Sequence, residues 1–184
     1  MKKNILVVLL LVVGLLVGCT RENDLNFNES FPTMESVNHV YKKSTYTTSL
    51  NLILDGTGVL LVAYDSDKKV DNYTDAVLPI LNEAAIEAKQ DLIHYLDIYD
   101  MQKDESAEYR LLLGYLDSQV EDMHVLSGSK TLLAPDVYFI KEGQIIGHHY
   151  STIKDENGNY VSNLNAAQKD ELKEIYLHLF SKLK

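Results

Sequence analysis

Seven consecutive residues, Gly58-Val59-Leu60-Leu61-Val62-Ala63-Tyr64, carry no charge and only one polar atom among their side chains. Alternate side chains of a strand point to opposite faces, so an uninterrupted apolar run suits a strand covered on both sides. That condition is met in a mostly parallel sheet with helices above and below. The residues after the run fit such an architecture. A polar loop from Asp65 leads into a segment where Val77, Leu78, Leu81, Ala84, Ala85 and Ala88 recur at helical spacing, with Thr74 or Asp71 as the N-cap. Pro79 lies inside that helix and removes an amide donor, so a kink is expected there. Asp91 to Asp100, DLIHYLDIYD, then reads as a second strand with apolar residues on both faces. Strand, helix and strand in this order form a βαβ unit.

Upstream, a short strand is expected near Val40, and Ser49 to Leu54 reads as either helix or extended chain before Asp55-Gly56. Downstream, SAEYRLLLGYLDSQV places Tyr109, Leu112, Leu116 and Val120 on one helical face. APDVYFIKEGQIIGHHY reads as two apolar strands joined by the tight turn Lys141-Glu142-Gly143-Gln144, where glycine accepts a positive φ. The last segment, NAAQKDELKEIYLHLFSKLK, opens with a capping box, Asn165 and Gln168. It carries Leu172, Ile175, Leu179 and Leu183 along a core-facing stripe.

The chain has 184 residues, 46% of them hydrophobic, enough for one domain with a sizeable core. Its formal charge is −10, and without the two lysines of the first eighteen residues it would be −12. No basic patch exists to displace counterions from phosphates, so nucleic acid is excluded as a partner. The N-terminus, MKKNILVVLLLVVGLLVGCT, has two lysines and then an uncharged run to Gly18. A helix over that run reaches roughly 21 Å at about 1.5 Å per residue, short of the roughly 30 Å hydrocarbon core, so it reads as an export signal. Leu16-Val17-Gly18-Cys19 resembles the bacterial lipobox. That resemblance implies a lipoprotein signal peptide over 1–18, cleavage before Cys19 and lipid on its sulfur. More than one acyl chain gives stable anchoring. Polar residues 19–38 then read as a flexible tether from lipidated Cys19, and 39–184 as the folded domain, held on the extracytoplasmic face of the cell membrane.

The element order is that of thioredoxins, and individual residues add to the match. PDVYFIKEGQIIG from Pro135 resembles the segment thioredoxins place after their cis-proline, and LPILNEAA from Leu78 resembles their kinked first helix. With GTGVLLVAY and the closing QKDELKEIY, the chain looks most like bacterial thioredoxin-like lipoproteins of the bacteriocin transport accessory type. The resemblance implies an α/β, thioredoxin-like fold with a central mixed β-sheet flanked by α-helices.

In that family the loop before the helix carries Cys-x-x-Cys. Counting back from Pro79 places the motif on Asp71-Asn72-Tyr73-Thr74, whereas counting forward from the strand places it near Asp67 to Val70; neither contains a cysteine. Thiol–disulfide exchange needs an attacking thiolate and a second sulfur, and Cys19 is the chain's only cysteine. The expectation is therefore a protein without redox activity and with no catalytic residue. The resemblance also implies a cis bond at Ala134-Pro135 and a peptide-binding edge over Ala134, Pro135 and Asp136, serving an extended peptide or exported protein. The alternative is an enzyme or docking subunit of this lineage working without its own thiols, with Asp67, Asp71, Tyr73 and Asp136 gathered as acid and base groups.

Six histidines raise the question of a metal. His148 and His149 are adjacent on a strand and so face opposite ways, and His39, His124 and His178 show no ligand spacing. His94 reads as a buried strand residue. No metal and no other cofactor is expected.

Overall fold

All six residues of the central apolar strand, Gly58–Ala63, are buried. A computed structural model describes residues 27–69 and 71–184 of the chain. Its elements in order are β1 (Tyr41–Lys43), α1 (Tyr46–Asp55), β2 (Gly58–Ala63), α2 (Asn72–Glu87), β3 (Ile93–Asp97), α3 (Tyr99–Lys103) and α4 (Ala107–Asp117). There follow β4 (Val125–Leu126), β5 (Ser129–Lys130), β6 (Asp136–Lys141), β7 (Gln144–Tyr150) and α5 (Ala166–Leu183). Five strands form one sheet in the order β1-β3-β2-β6-β7, while β4 and β5 pair separately as a hairpin. Strands β1, β3 and β2 run parallel, and β6 and β7 run antiparallel to their neighbours. This mixed sheet flanked by helices is the thioredoxin-like α/β arrangement.

The alternation of β2 divides the core. Val59, Leu61 and Ala63 face α2 and α5, meeting Val77, Leu81, Leu172 and Phe180. Leu60 and Val62 face α1 and α4, meeting Ile53, Leu112 and Leu116. The segment that reads from sequence as either helix or extended chain is helix α1, capped by Thr45, whose side chain accepts from Thr48 N. The β6–β7 turn has φ 51° at Glu142 and 74° at Gly143. A Cβ on Gly143 would lie 2.3 Å from the Leu54 carbonyl oxygen, so the turn needs glycine for space as well as conformation. In α5 the capping box forms as expected. The buried stripe is Leu172, Tyr176, Leu179 and Phe180, with Ile175 and Leu183 only partly buried. Two aromatic rings therefore supply much of the contact that the aliphatic pattern assigned to Ile175 and Leu183.

The tether needs correction. Phe27, Phe31 and Met34 lie within the 19–38 stretch read as flexible, yet each is at most 1% exposed. Residues 27–30 form a helical turn and Pro32–Met34 a 3-10 turn. The Phe27 ring stacks on Tyr41 at 4.7 Å, and Phe31 meets the edge of Tyr95 at 5.2 Å. Polar neighbours masked the spacing of these three residues, i, i+4, i+7, which is the apolar stripe of a helix. The folded domain thus includes residues from Phe27 onward. The signal peptide over 1–18 and the lipidation site Cys19 lie outside the described residues.

Phe31→Ala is expected to cost about 3–5 kcal/mol, the range for deleting a buried phenylalanine. Urea unfolding checks this, since a tether residue would change stability by no more than about 0.5 kcal/mol.

Candidate functional site

Three chain segments meet where β2 ends: the loop from Tyr64 to Lys69, the start of α2, and the entry to β6. Register places Asp136, the first residue of β6, beside Val62 near the end of β2.

The start of α2 is a completed cap. Asp71 is its N-cap: one carboxylate oxygen accepts from Tyr73 N at 3.1 Å and the other from the Thr74 hydroxyl at 2.6 Å. Of the two N-cap candidates, Asp71 holds the position and Thr74 is its buried donor. Tyr73 is 36% exposed, and its hydroxyl donates to the Tyr160 carbonyl at 3.3 Å. Burial, followed by the neighbouring Asp71, raises the Asp75 carboxyl above its ordinary range. The four residues 71–74 thus occupy the first turn of α2, with Pro79 further along the same helix.

The loop before them is pinned by charge. Asp65 is buried and accepts from Lys43 Nζ at 2.7 Å and from the Tyr95 hydroxyl. Burial opposes ionisation there, but these donors outweigh it and hold the Asp65 carboxyl below its usual range. Lys68 reaches Asp97 at 2.6 Å and Asp100 at 2.7 Å. Asp67 lines a cleft of about 330 Å³ with Glu29, Ser30, Lys43 and Asp65.

On the opposite side, the Ala134–Pro135 peptide bond is cis. The Pro135 carbonyl accepts from Ser151 N at 2.8 Å. Two residues upstream of Ala134, Leu132 N donates to the Tyr109 hydroxyl at 3.1 Å, and the Leu132 carbonyl accepts from Gln102 Nε2 at 2.6 Å. Between these anchors, the peptide groups of Leu133 and Ala134 make no hydrogen bond among the described residues. They are a short open length of main chain at the end of the sheet.

Asp136 does not belong to that unpaired stretch. It is 1% exposed and faces His148, whose Nδ1 donates to it at 3.1 Å while Nε2 donates to Asp122 at 2.9 Å. The His148 ring lies parallel to Tyr138 at 5.5 Å. Burial works against a charged ring, but the hydrogen bonds and attraction of Asp136 and Asp122 outweigh it and push His148 up to about 9. His149 points to the other face, edge-on to Tyr176 at 5.6 Å, so the two histidines do not share a site. Burial lowers His149.

The acid and base groups weighed from the sequence are engaged with different partners. Asp67 lines its own cleft, Asp71 and Tyr73 belong to the helix cap, and Asp136 is turned inward to His148. No hydrogen bond joins Asp67 or Asp136 to the cap among the described residues. His148 and Asp122, paired around Asp136, were not visible from the sequence. Counting register outward from the two-residue turn sets His148 opposite Val137, on the α2 face. A bulge between Phe139 and Ile140 shifts the ladder, so His148 lies opposite Tyr138 and on the same face as Asp136.

No family model matches the sequence, and no curated protein matches it.

His148 gives a stability signature. Its folded pKa, about 9, lies above the ordinary value of about 6.5, so its contribution is complete below pH 6.5 and is lost as pH rises through 9. His148→Gln is expected to be less stable than the parent by up to about 3 kcal/mol at pH 6, with the gap closing above pH 9. Urea titrations of both proteins from pH 6 to 10 measure the difference.

Proposed function

We propose that this protein is a membrane-anchored, extracytoplasmic thioredoxin-like lipoprotein that binds an extended peptide or exported protein without redox chemistry. It would serve as an accessory factor of export, like the bacteriocin transport accessory proteins it resembles. The observation that carries this reading is the open main chain at Leu133 and Ala134. Main-chain pairing to an extended segment needs peptide groups at an accessible edge and no sulfur. Disulfide exchange needs two sulfurs, and the only cysteine is Cys19, at the junction that resembles a lipobox. The N-terminal end of α2, which would stabilise a thiolate in an active relative, is occupied by the Asp71 carboxylate. Lipid on Cys19 would place the domain near the membrane, and the packing of Phe27 leaves few residues between anchor and fold.

Two measurements test the proposal on full-length protein made in a bacterium that processes lipoproteins. Mass spectrometry should find a chain beginning at Cys19 with acyl chains attached; an intact N-terminus with bare Cys19 overturns the anchor. A ten-residue peptide alternating valine and serine should slow amide hydrogen exchange at Leu133 and Ala134; unchanged exchange overturns the binding edge. Insulin reduction at a rate matching an active thioredoxin would overturn the non-redox assignment.

A further inference from the structure

Helices α2 and α5 pack against each other and leave a cleft of about 250 Å³ between them. Its apolar part is made by Ala76, Pro79 and Ile80 of α2 and by Leu164, which precedes α5. Ile80 and Leu164 are themselves buried, so this part of the wall is continuous with the core. Around it stand charged side chains from both helices: Asp75 and Glu83 from α2, and Lys169, Asp170 and Lys173 from α5. Neither Leu133 nor Ala134 lines the cleft, so it is separate from the open main chain described above.

The charges in the cleft are of both signs and do not satisfy one another. Lys173 is held by Glu87, at 2.9 Å, with Glu83 at 4.0 Å. Lys169 is different: its ammonium forms no ion pair and no hydrogen bond among the described residues. The carboxylates of Asp75 and Asp170 likewise form neither. Asp75 is the more telling of the two, because it is partly withdrawn from water, and burial, followed by Asp71, raises its carboxyl above the ordinary range. Pro79 adds to this, since it brings no amide to the carbonyl four residues before it, which is that of Asp75.

This arrangement decides what kind of molecule the cleft suits. A ligand with one charge meets only half of it: a cation drawn to Asp75 has Lys169 nearby, and an anion drawn to Lys169 has Asp75 and Asp170 nearby. A molecule carrying both charges pairs with each side and faces neither as a like charge. The apolar part of the wall asks for an aliphatic group between or beside the two charges. Size limits it further, because drug-sized pockets begin at roughly 300 Å³ and this cleft is smaller.

We infer that the cleft between α2 and α5 binds a small zwitterion of amino-acid size with an aliphatic side chain. Its ammonium group is set against Asp75, its carboxylate against Lys169, and its aliphatic part against Pro79 and Ile80. The site goes beyond the peptide-binding reading and does not depend on it.

The full chain, in detergent at neutral pH, is titrated with free leucine and with two molecules that share its aliphatic skeleton. One is 3-methylbutylamine, which lacks the carboxylate; the other is 4-methylpentanoate, which lacks the amine. Calorimetry gives the affinities, and amide chemical shifts locate the ligand. Leucine should bind at least ten-fold more tightly than either analogue and shift amides of 75–83 and 162–173. Asp75→Asn should weaken leucine at least five-fold without weakening 4-methylpentanoate, and Lys169→Gln should weaken leucine at least five-fold without weakening 3-methylbutylamine. Circular dichroism checks that each variant keeps its fold, and the comparison of the three ligands on the parent chain needs no variant. If leucine neither binds nor shifts these amides, the cleft is not a zwitterion site. If the three ligands bind alike, or both folded variants bind leucine as the parent does, the pairing with Asp75 and Lys169 is wrong and the inference falls.

Discussion

Burying both faces of β2 is the constraint on which the rest of the structure depends. A strand with Leu60 and Val62 on one side and Val59, Leu61 and Ala63 on the other must be central, with neighbours to satisfy its peptide groups and helices to cover each face. Parallel β3 and antiparallel β6 meet the first need; α2 with α5 and α1 with α4 meet the second. Placing β2 at the centre also brings its last residues, the loop beyond them and the first residue of β6 to one end of the sheet. That convergence gathers the residues of the candidate site.

Buried carboxylates at this end hold the architecture in place. Asp65 is bound by a lysine from β1 and a tyrosine from β3, and Asp136 by a histidine from β7. Each fastens together strands whose hydrogen-bond ladders alone would not fix the loops between them. A buried carboxylate with a cationic partner is costly to leave half-paired, since removing one partner strands the other charge away from water. These aspartates therefore resist substitution for structural reasons. At the same end, the peptide groups of Leu133 and Ala134 make no hydrogen bond among the described residues.

Much of the fold was legible in the sequence because its elements obey local rules. The apolar run of β2, the capping box at Asn165 and Gln168, and the turn at Glu142-Gly143 each depend on neighbours within a few residues. The candidate site was legible in position more than in detail. Residues 71–74 do open the helix, and Pro135 does sit after a cis bond. The meeting of His148 with Asp136 was hidden by a one-residue bulge, and register is a property of two strands together. Phe27, Phe31 and Met34 were hidden by polar neighbours, although their spacing held the signal.

Composition and pattern alone determined that this chain has one cysteine, a strongly negative charge, and a strand that must lie inside an α/β sheet. These properties come from side-chain chemistry and from the period of two in an extended chain. Only the tertiary structure decided which carboxylates face inward and that residues 27–34 close the core. Those outcomes depend on which distant segments share a neighbourhood, and it is packing across the sheet that brings them together.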